Sequence, residues 1–157
     1  MRPLVPAIAA VAAVACLSSL AASPARADTA APSRVAVQGD RLVLAEPIYF
    51  DAGKASLKAQ SQALLDDVAR SLADNPWIEL LEVGVHSDER GADEYNLRIT
   101  ADRAAAVAAY LVAHGVAQAR VQSHGYGETR PLCHEHNEAC WSKNRRTELV
   151  VVKGARR

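Results

Sequence analysis

The chain is short of aromatic residues: its 157 residues include one phenylalanine, two tryptophans and four tyrosines. Half of the residues are nevertheless apolar, and alanine makes up much of that half. A core built mainly on aromatic rings is therefore excluded, and the core must come from valine, leucine and alanine. The length suits one compact domain with a leader and does not suit two ordinary domains.

The sequence also lacks an excess of charge of either sign, with 18 basic and 18 acidic residues. Removal of a leader that ends at Ala27 would take away Arg2 and Arg26 and no acidic residue, which leaves a net charge of about −2. Nucleic-acid binding usually requires a clustered basic surface. The composition therefore predicts that nucleic acid is not a partner.

Patterns typical of enzymes are missing as well. The sequence has no nucleophile elbow, no His-Glu-x-x-His pair and no two carboxylates that stand apart from the rest. It therefore offers neither a nucleophile with its base nor three metal ligands with an open position. We expect a protein that is not an enzyme and that has no cofactor and no metal, and a hydrolase stays open as an alternative.

The N-terminal segment is typical of a secretory signal peptide at residues 1–27. One basic residue, Arg2, precedes an apolar run over residues 4–22, and the sequence Ala-Arg-Ala at 25–27 is a cleavage pattern. An uncleaved membrane helix is the alternative, but much of the apolar run is weakly hydrophobic alanine. Residues 28–33, which follow, have the polar composition of a flexible tether.

Cys16 lies inside the apolar run, after a sequence that loosely resembles a lipoprotein processing box. The box lacks its usual leucine, and an apolar segment follows the cysteine. Two routes stay open: lipidation at Cys16, or cleavage after Ala27 with loss of this cysteine. Membrane association is expected only in the first case.

Two cysteines remain under either route, Cys133 and Cys140. In an oxidising compartment they are expected to form a disulfide that closes a short loop. A metal site is the rival interpretation, because His134 and His136 lie between them. Their spacing fits no standard ligand pattern, so we expect these histidines to be exposed loop residues.

The first half of the chain predicts a hairpin, a further strand and a helix. Two apolar strands at 35–37 and 42–44 flank Gly39-Asp40, a typical hairpin turn. Residues 48–50 predict another short strand. Ser56 is a possible cap for a helix that runs to about Asp74, where Asn-Pro ends it.

The second half predicts a strand, a helix and two more strands. The apolar run 77–85 has the length of a buried strand. Residues 92–98 are expected to form a helical or irregular approach, and Thr100 is expected to cap a helix over residues 101–114, which Gly115 ends. Strands follow at 120–124 and 147–152, with a loop over 125–144 between them. Together these elements predict an α+β sandwich with one sheet and two main helices on one face.

Asp88 and Arg103 are the strongest candidates for ligand binding. Asp88 follows a buried strand, at a strand exit where such folds often hold ligands. Arg103 would lie in the first turn of the second helix, where free N–H groups also attract anions. A carboxylate and a guanidinium facing each other suit an amino-acid head group. Two structural roles compete: a surface pair of Arg103 with Asp102 or Glu89, and a turn-forming Asp88.

Three blocks of residues, in the right order and spacing, resemble the OmpA-like peptidoglycan-binding domain. They are FD at 50–51 with Leu57; VHSDERG at 85–91 with YN at 95–96, IT at 99–100 and RA at 103–104; and GYGE at 125–128 with Pro131 and NRRTE at 144–148. The family usually has glycine and threonine where this chain has Val85 and Ser87, and serine keeps the hydroxyl group.

The resemblance implies a βαβαββ sandwich with a mixed sheet over residues 47–153, preceded by a tether and hairpin over 28–46. It also implies non-covalent binding of the diaminopimelate in the peptide stem of the cell wall. In the family, the residue matching Arg103 binds the carboxylate and the one matching Asp88 binds the ammonium. The remaining site residues that the resemblance implies are Ser87, Asn96, Asp51 and Arg145.

The implied ligand has a testable preference, because a lysine stem has no side-chain carboxylate for Arg103. The expected location is the periplasm or cell envelope of a Gram-negative-type bacterium, with peptidoglycan as the partner. Two alternatives stay open: an adaptor of an envelope protein complex, with wall binding secondary, and a cell-wall hydrolase. His86 is expected to be a hydrogen-bonded residue at the end of a strand and not a catalyst.

Overall fold

The computed structural model describes residues 34–154. The predicted signal peptide at 1–27, Cys16 and the tether at 28–33 lie outside the described residues. Within residues 34–154, no helix combines the length and the apolar character needed to cross a membrane.

A single five-stranded mixed sheet forms one layer of the described domain. Its strands lie in the spatial order β1-β2-β5-β3-β4. β3 and β4 are parallel, whereas the pairs β1–β2, β2–β5 and β3–β5 are antiparallel. The strands are β1 (Val35–Gln38), β2 (Arg41–Leu44), β3 (Ile78–His86), β4 (Val121–Gly127) and β5 (Thr147–Gly154). The predicted α+β sandwich with a mixed sheet is confirmed.

The predicted hairpin is confirmed as β1 and β2, joined by Gly39 and Asp40. Gly39 has a φ of 60°, which a glycine adopts without steric cost. Leu42 of β2 is paired with Leu149 of β5. The hairpin is therefore part of the same sheet as the strands of the predicted domain at 47–153.

Arg34 fastens the chain just before β1 to the first helix. Its Nε atom donates to Asp67 at 2.7 Å, and Nη2 donates to the carbonyl of Ala63, also at 2.7 Å. A longer contact of 3.5 Å joins Nη1 to Glu46. Hydrogen bonds from the Arg34 side chain to the first helix thus fix the position of the residue that precedes β1.

Three α-helices accompany the sheet: α1 (Ala59–Asp74), α2 (Asp93–Ala113) and the short α3 (Glu138–Asn144). α1 and α2 pack on the sheet and on each other, and they share a core with its strands. Aliphatic residues dominate the core, as the composition predicts. Its fully buried members include Leu64, Leu65, Val68, Leu72, Ile78, Leu81, Val83, Val107 and Leu111.

Two predictions around the start of α1 are wrong. Ser56 does not cap the helix, because its hydroxyl donates to Asp51 at 2.5 Å and α1 begins at Ala59. Residues 48–50 form no strand, and only Phe50 makes an isolated bridge, to Leu57. The buried hydroxyl of Ser61 on α1 bonds both the N–H and the carbonyl of Tyr49. The backbone there is satisfied by a helix side chain and needs no neighbouring strand.

The predicted start of the second helix is also wrong. α2 begins at Asp93, so Thr100 lies inside it. The Thr100 hydroxyl bonds back to the carbonyls of Asn96 and Leu97, and it accepts the N–H of Gly127 at 2.9 Å. Thr100 therefore joins α2 to the end of β4. Arg103 in consequence lies well inside the helix and has no free helix N–H groups beside it.

Gly125 allows α2 to lie directly on β4. A Cβ atom added at this glycine would be 2.1 Å from the backbone nitrogen of Ala101. The predicted loop over 125–144 is shorter in the structure, because β4 continues to Gly127 and α3 occupies residues 138–144. Both changes bring new side chains to the end of β3, where Asp88 lies.

Candidate functional site

Asp88 lies at the carboxyl end of β3, on a loop that two backbone bonds fix in place. The N–H of His86 donates to the carbonyl of Arg146 at 2.9 Å. The N–H of Ser87 donates to the carbonyl of Gly127 at 2.8 Å. The loop therefore starts at the edge where β3, β4 and the residues before β5 meet, as expected for a ligand-binding loop.

The Asp88 carboxylate is buried, with 5% of the residue exposed, and it binds two arginines. Oδ1 accepts the N–H of Arg90 at 3.0 Å and its Nε at 3.3 Å. Oδ2 accepts Nη2 of Arg90 at 2.8 Å and Nη1 of Arg145 at 2.6 Å. Burial alone would raise the pKa of Asp88, but the bonds from Arg90 and Arg145 outweigh it and lower the pKa to about 2. The group is therefore an anion at neutral pH.

A second carboxylate, Glu138, contacts the same two arginines from outside. Its side chain is 63% exposed and bonds Nη2 of Arg145. The distance from its Oε2 atom to Nη1 of Arg90 is 3.5 Å. Arg90 also lies 4.5 Å above the ring of Trp141, a cation–π contact. The site therefore alternates two acids with two arginines, and α3 supplies one acid and the ring.

The predicted disulfide between Cys133 and Cys140 is confirmed, with 5.3 Å between the two Cα atoms. It closes the segment that leads into α3. Asn144 fixes the same segment, because its side-chain oxygen accepts the N–H groups of Leu132 and Cys133. Asn137 caps α3 by accepting the N–H of Cys140 at 2.9 Å. These bonds set the position from which α3 reaches the Asp88 loop.

Glu89 links that segment to the loop. It accepts the ring nitrogen of Trp141 at 2.8 Å and contacts Nδ1 of His136 at 2.5 Å. The hydrogen bonds from His136 and Trp141 lower the pKa of Glu89 below its usual value. Both cysteines are used in the disulfide, and residues 34–154 contain no group of three or more potential metal ligands. His134 and His136 are exposed, as predicted.

Arg103 makes its contacts with the segment around Phe50 and Lys54, not with the residues of this cluster. Its guanidinium is 5.1 Å above the Phe50 ring, and Nε donates to the carbonyl of Lys54 at 3.0 Å. Within residues 34–154 it forms neither the pair with Asp102 or Glu89 considered above nor a salt bridge with Asp88. Burial lowers the pKa of Arg103 from its usual value, and nearby Tyr95 opposes that effect. The Arg103 guanidinium is thus a half-buried cation, and within the described domain its Nη atoms form no salt bridge with a carboxylate.

The other predicted site residues divide between these two regions. Asn96 is buried, and its amide donates to the carbonyls of Asp88 and Arg90 and to Glu128 at 2.7 Å. The Ser87 hydroxyl is buried and has no hydrogen-bond partner in the part of the chain that the structure describes. Asp51 accepts the Ser56 hydroxyl, on the Arg103 side. The structure therefore gathers Asn96 and Arg145 around Asp88, whereas Asp51 directly follows Phe50, whose ring contacts Arg103.

His86 ends β3 as predicted, but it is not hydrogen-bonded as expected. Its ring stacks on Tyr126 with 4.8 Å between the ring centroids, and neither ring nitrogen has a hydrogen-bond partner in residues 34–154. Burial, followed by the charge of Arg146, lowers the pKa of His86 from 6.5 to about 4. The ring is neutral at physiological pH.

Three side chains of the cluster around Asp88 were missed by the sequence analysis: Arg90, Glu138 and Trp141. One local signal was available for Arg90, since an aspartate two residues earlier often accepts its N–H in a tight turn. No local signal exists for Glu138 and Trp141, because they reach Asp88 only when α3 folds over the loop.

Residues 49–145 match the OmpA family. This match covers more than half of the chain. The chain belongs to the OmpA family. The resemblance of the three blocks to that family is thereby confirmed.

Relatives in two bacteria carry the name peptidoglycan-associated lipoprotein. The one from Rhizobium meliloti (strain 1021) is 43% identical over 108 residues, which are 69% of this chain and 60% of the relative. The one from Pseudomonas aeruginosa is 40% identical over 101 residues, which are 64% of this chain and 59% of the relative. The matched part thus spans about 60% of the length of these relatives.

Solved structures share the fold. The peptidoglycan-associated lipoprotein from Burkholderia pseudomallei is 38% identical, with a TM-score of 0.59, and the match covers 68% of this chain and 91% of that one. The cell wall anchor of the T6SS from Pseudomonas aeruginosa is 27% identical, with a TM-score of 0.64, and the match covers 78% and 89% of the two chains. Both solved structures therefore share the fold of the described domain.

Proposed function

We propose that this protein binds peptidoglycan non-covalently, without cleaving it, through the diaminopimelate of the stem peptide. Family membership supports the class of ligand, and relatives are named for their association with peptidoglycan. A solved structure with the same fold is described as a cell wall anchor. Such binding would tether the cell envelope to the wall, so we also propose a location in the periplasm or at the envelope.

The observation that carries the proposal is the pair of unlike charges at the two predicted positions. Asp88 is a buried acid that stays ionised, and Arg103 is a half-buried cation that lacks an anionic partner within residues 34–154. Diaminopimelate ends in an ammonium and a carboxylate on one carbon. We infer that Arg103 binds the carboxylate with its Nη atoms and that Asp88 accepts the ammonium, with the Phe50 ring beneath the guanidinium.

This assignment predicts which stem peptide the protein prefers. A lysine stem keeps the ammonium but has no side-chain carboxylate, so Arg103 would lose its partner. Loss of one charged hydrogen bond costs about 1.5–3 kcal/mol. That energy corresponds to a loss of affinity of about tenfold or more. We therefore propose that the protein prefers walls of the diaminopimelate type.

The first prediction tests both residues by sedimentation with insoluble cell wall. Asp88→Asn and Arg103→Ala are each expected to lower the bound fraction as an affinity loss of about tenfold or more. Circular dichroism and the melting temperature show whether each variant is folded. Asp74→Asn and Arg70→Ala are matched controls, because both residues are exposed on α1. Equal sedimentation of all four variants would reject the assignment.

The same preparations separate the alternatives. Clearing of wall turbidity above a buffer control would indicate a hydrolase, and none is expected. Co-purified envelope proteins that persist after digestion of the wall would indicate an adaptor. Wall of the lysine type, used in parallel, tests the proposed stem preference directly.

A further inference from the structure

The carboxylate of Asp88 has no acceptor capacity left in this structure. A carboxylate has about four lone-pair sites. Asp88 uses them for three bonds from Arg90 and one from Arg145. An incoming ammonium therefore has to replace at least one of these donors before Asp88 can bind it.

Arg145 is the donor that is easier to replace. It gives Asp88 one bond, whereas Arg90 gives three and also stacks on Trp141 at 4.5 Å. The Arg145 side chain is 39% exposed and that of Arg90 is 50% exposed, so both can move, and the number of bonds to Asp88 is what separates them. The other amino group of Arg145, Nη2, already bonds Glu138. If Arg145 loses its bond to Asp88, it can form a second bond to Glu138, which it already contacts.

Glu138 is well placed for this exchange. It lies in the first turn of α3, whose position the Cys133–Cys140 disulfide and the Asn137 cap fix. Two other acids nearby have partners of their own: Glu89 binds His136 and Trp141, and Glu128 binds Asn96. Glu138 already contacts Arg145, so it can take up the guanidinium that leaves Asp88.

We infer that Glu138 is a positioning residue of the ligand site, which takes up Arg145 when a ligand ammonium displaces that arginine from Asp88. The inference rests on the proposed function, because it concerns the same ligand. Beyond that function, we infer that the affinity of the protein for the ligand ammonium depends on Glu138, although Glu138 need not contact the ligand. Affinity for the carboxylate end, at Arg103, does not depend on Glu138.

The second prediction uses two synthetic stem peptides, which differ only in having diaminopimelate or 2-aminopimelate at the third position. The second peptide keeps the side-chain carboxylate and lacks the ammonium. Glu138→Gln is expected to weaken binding of the diaminopimelate peptide about fivefold, as for an exposed ion pair, and to leave the other peptide within about 1.5-fold. Glu79→Gln, a change of the same charge at a distant exposed pair with Lys153, controls for net charge.

A double-mutant cycle isolates the exchange. Once Arg145→Ala has removed the arginine, Glu138→Gln is expected to change affinity by less than about 1.5-fold. An equal fivefold loss in both backgrounds, or an equal loss for both peptides, would overturn the inference. A wild-type protein that binds neither peptide would instead reject the proposed function, and the inference with it.

The pKa of Asp88 in the Glu138→Gln variant separates the proposed role of Glu138 from a purely structural one. The Asp88 carboxyl signal is followed by NMR between pH 6 and pH 3 in the free protein. Glu138→Gln should leave the pKa of Asp88 depressed, since Arg145 then has no other acid to bind. A pKa that rises toward the ordinary value would mean that Glu138 holds Arg145 on Asp88, which overturns the inference.

Discussion

Individual residues at this site acquire their properties from partners that are distant in sequence. Asp88 stays ionised in a buried position because Arg90 and Arg145 bind it, and Arg145 is 57 residues away. The sequence predicted that Asp88 carries a ligand contact, yet it could not show this pairing. Arg103 was predicted at a helix start and lies inside the helix, where its surroundings are Phe50 and the carbonyl of Lys54.

Thr100 illustrates how one hydroxyl can join two elements. Its side chain is fully buried and accepts the N–H of Gly127. The third prediction is that Thr100→Val lowers the free energy of unfolding by about 1–3 kcal/mol, because the Gly127 N–H is left buried without a partner. Urea denaturation measures the change. Thr129→Val, whose hydroxyl is exposed, should cost much less, and equal costs for the two variants would contradict this account.

Elements are joined most closely where α2 crosses β4. The fourth prediction is that Gly125→Ala destabilises the fold by about 1–3 kcal/mol or more, because the new methyl group would meet the backbone of Ala101 and α2 would have to shift. Thermal unfolding followed by circular dichroism measures the effect.

Gly84→Ala on the neighbouring strand β3 is the matched control. Its new methyl group would be 3.0 Å from the Tyr126 ring, a side chain that can move. We expect a smaller loss of stability there. If Gly125→Ala proves as stable as the wild type, then α2 does not lie on β4 as described.

The elements also show what sequence patterns can predict in this fold. The middles of β3, α1 and α2 follow from their apolar spacing, because burial decides them. The helix starts do not, since the residues before α1 and α2, Lys58 and Ala92, are extended and make no side-chain cap bond. α3 was missed because a seven-residue helix held by a disulfide and Asn144 has little apolar pattern of its own.

The whole molecule combines one predictable framework with a site assembled from separate segments. The mixed sheet with its helices agrees with the family resemblance, and Asn96 lies beside Asp88. The contacts of Glu138 and Trp141 arise only in the folded chain. Prediction of the cluster around Asp88 thus included Asn96 and Arg145 and missed Arg90 and the two side chains that α3 brings in.

Acid stability is a property of the whole domain that His86 dominates above pH 4. Its pKa of about 4 in the folded protein lies below the usual 6.5, so between these values the unfolded chain binds more protons. The fifth prediction is therefore that the free energy of unfolding falls by about 3 kcal/mol as pH drops from 6.5 to 4. Below that range, protonation of Asp88 removes further stability as pH approaches 2.

Urea denaturation at a series of pH values checks this slope. A His86→Phe variant keeps a ring beside Tyr126 and should be nearly flat between pH 6.5 and 5. His134→Asn, at an exposed position, controls for the loss of a histidine as such. A His86→Phe variant with the wild-type slope would show that other groups cause the acid sensitivity.

The contacts of Arg34 have a mechanical consequence. A pull on the chain ahead of this residue would reach the bonds to Asp67 and Ala63 before it reached β1. Without them, the load would peel the edge strand off β2 one pair at a time, starting at Val35 and Leu44. Arg34 would transmit the force to α1, so that the four-residue strand β1 would stay paired with β2 under tension.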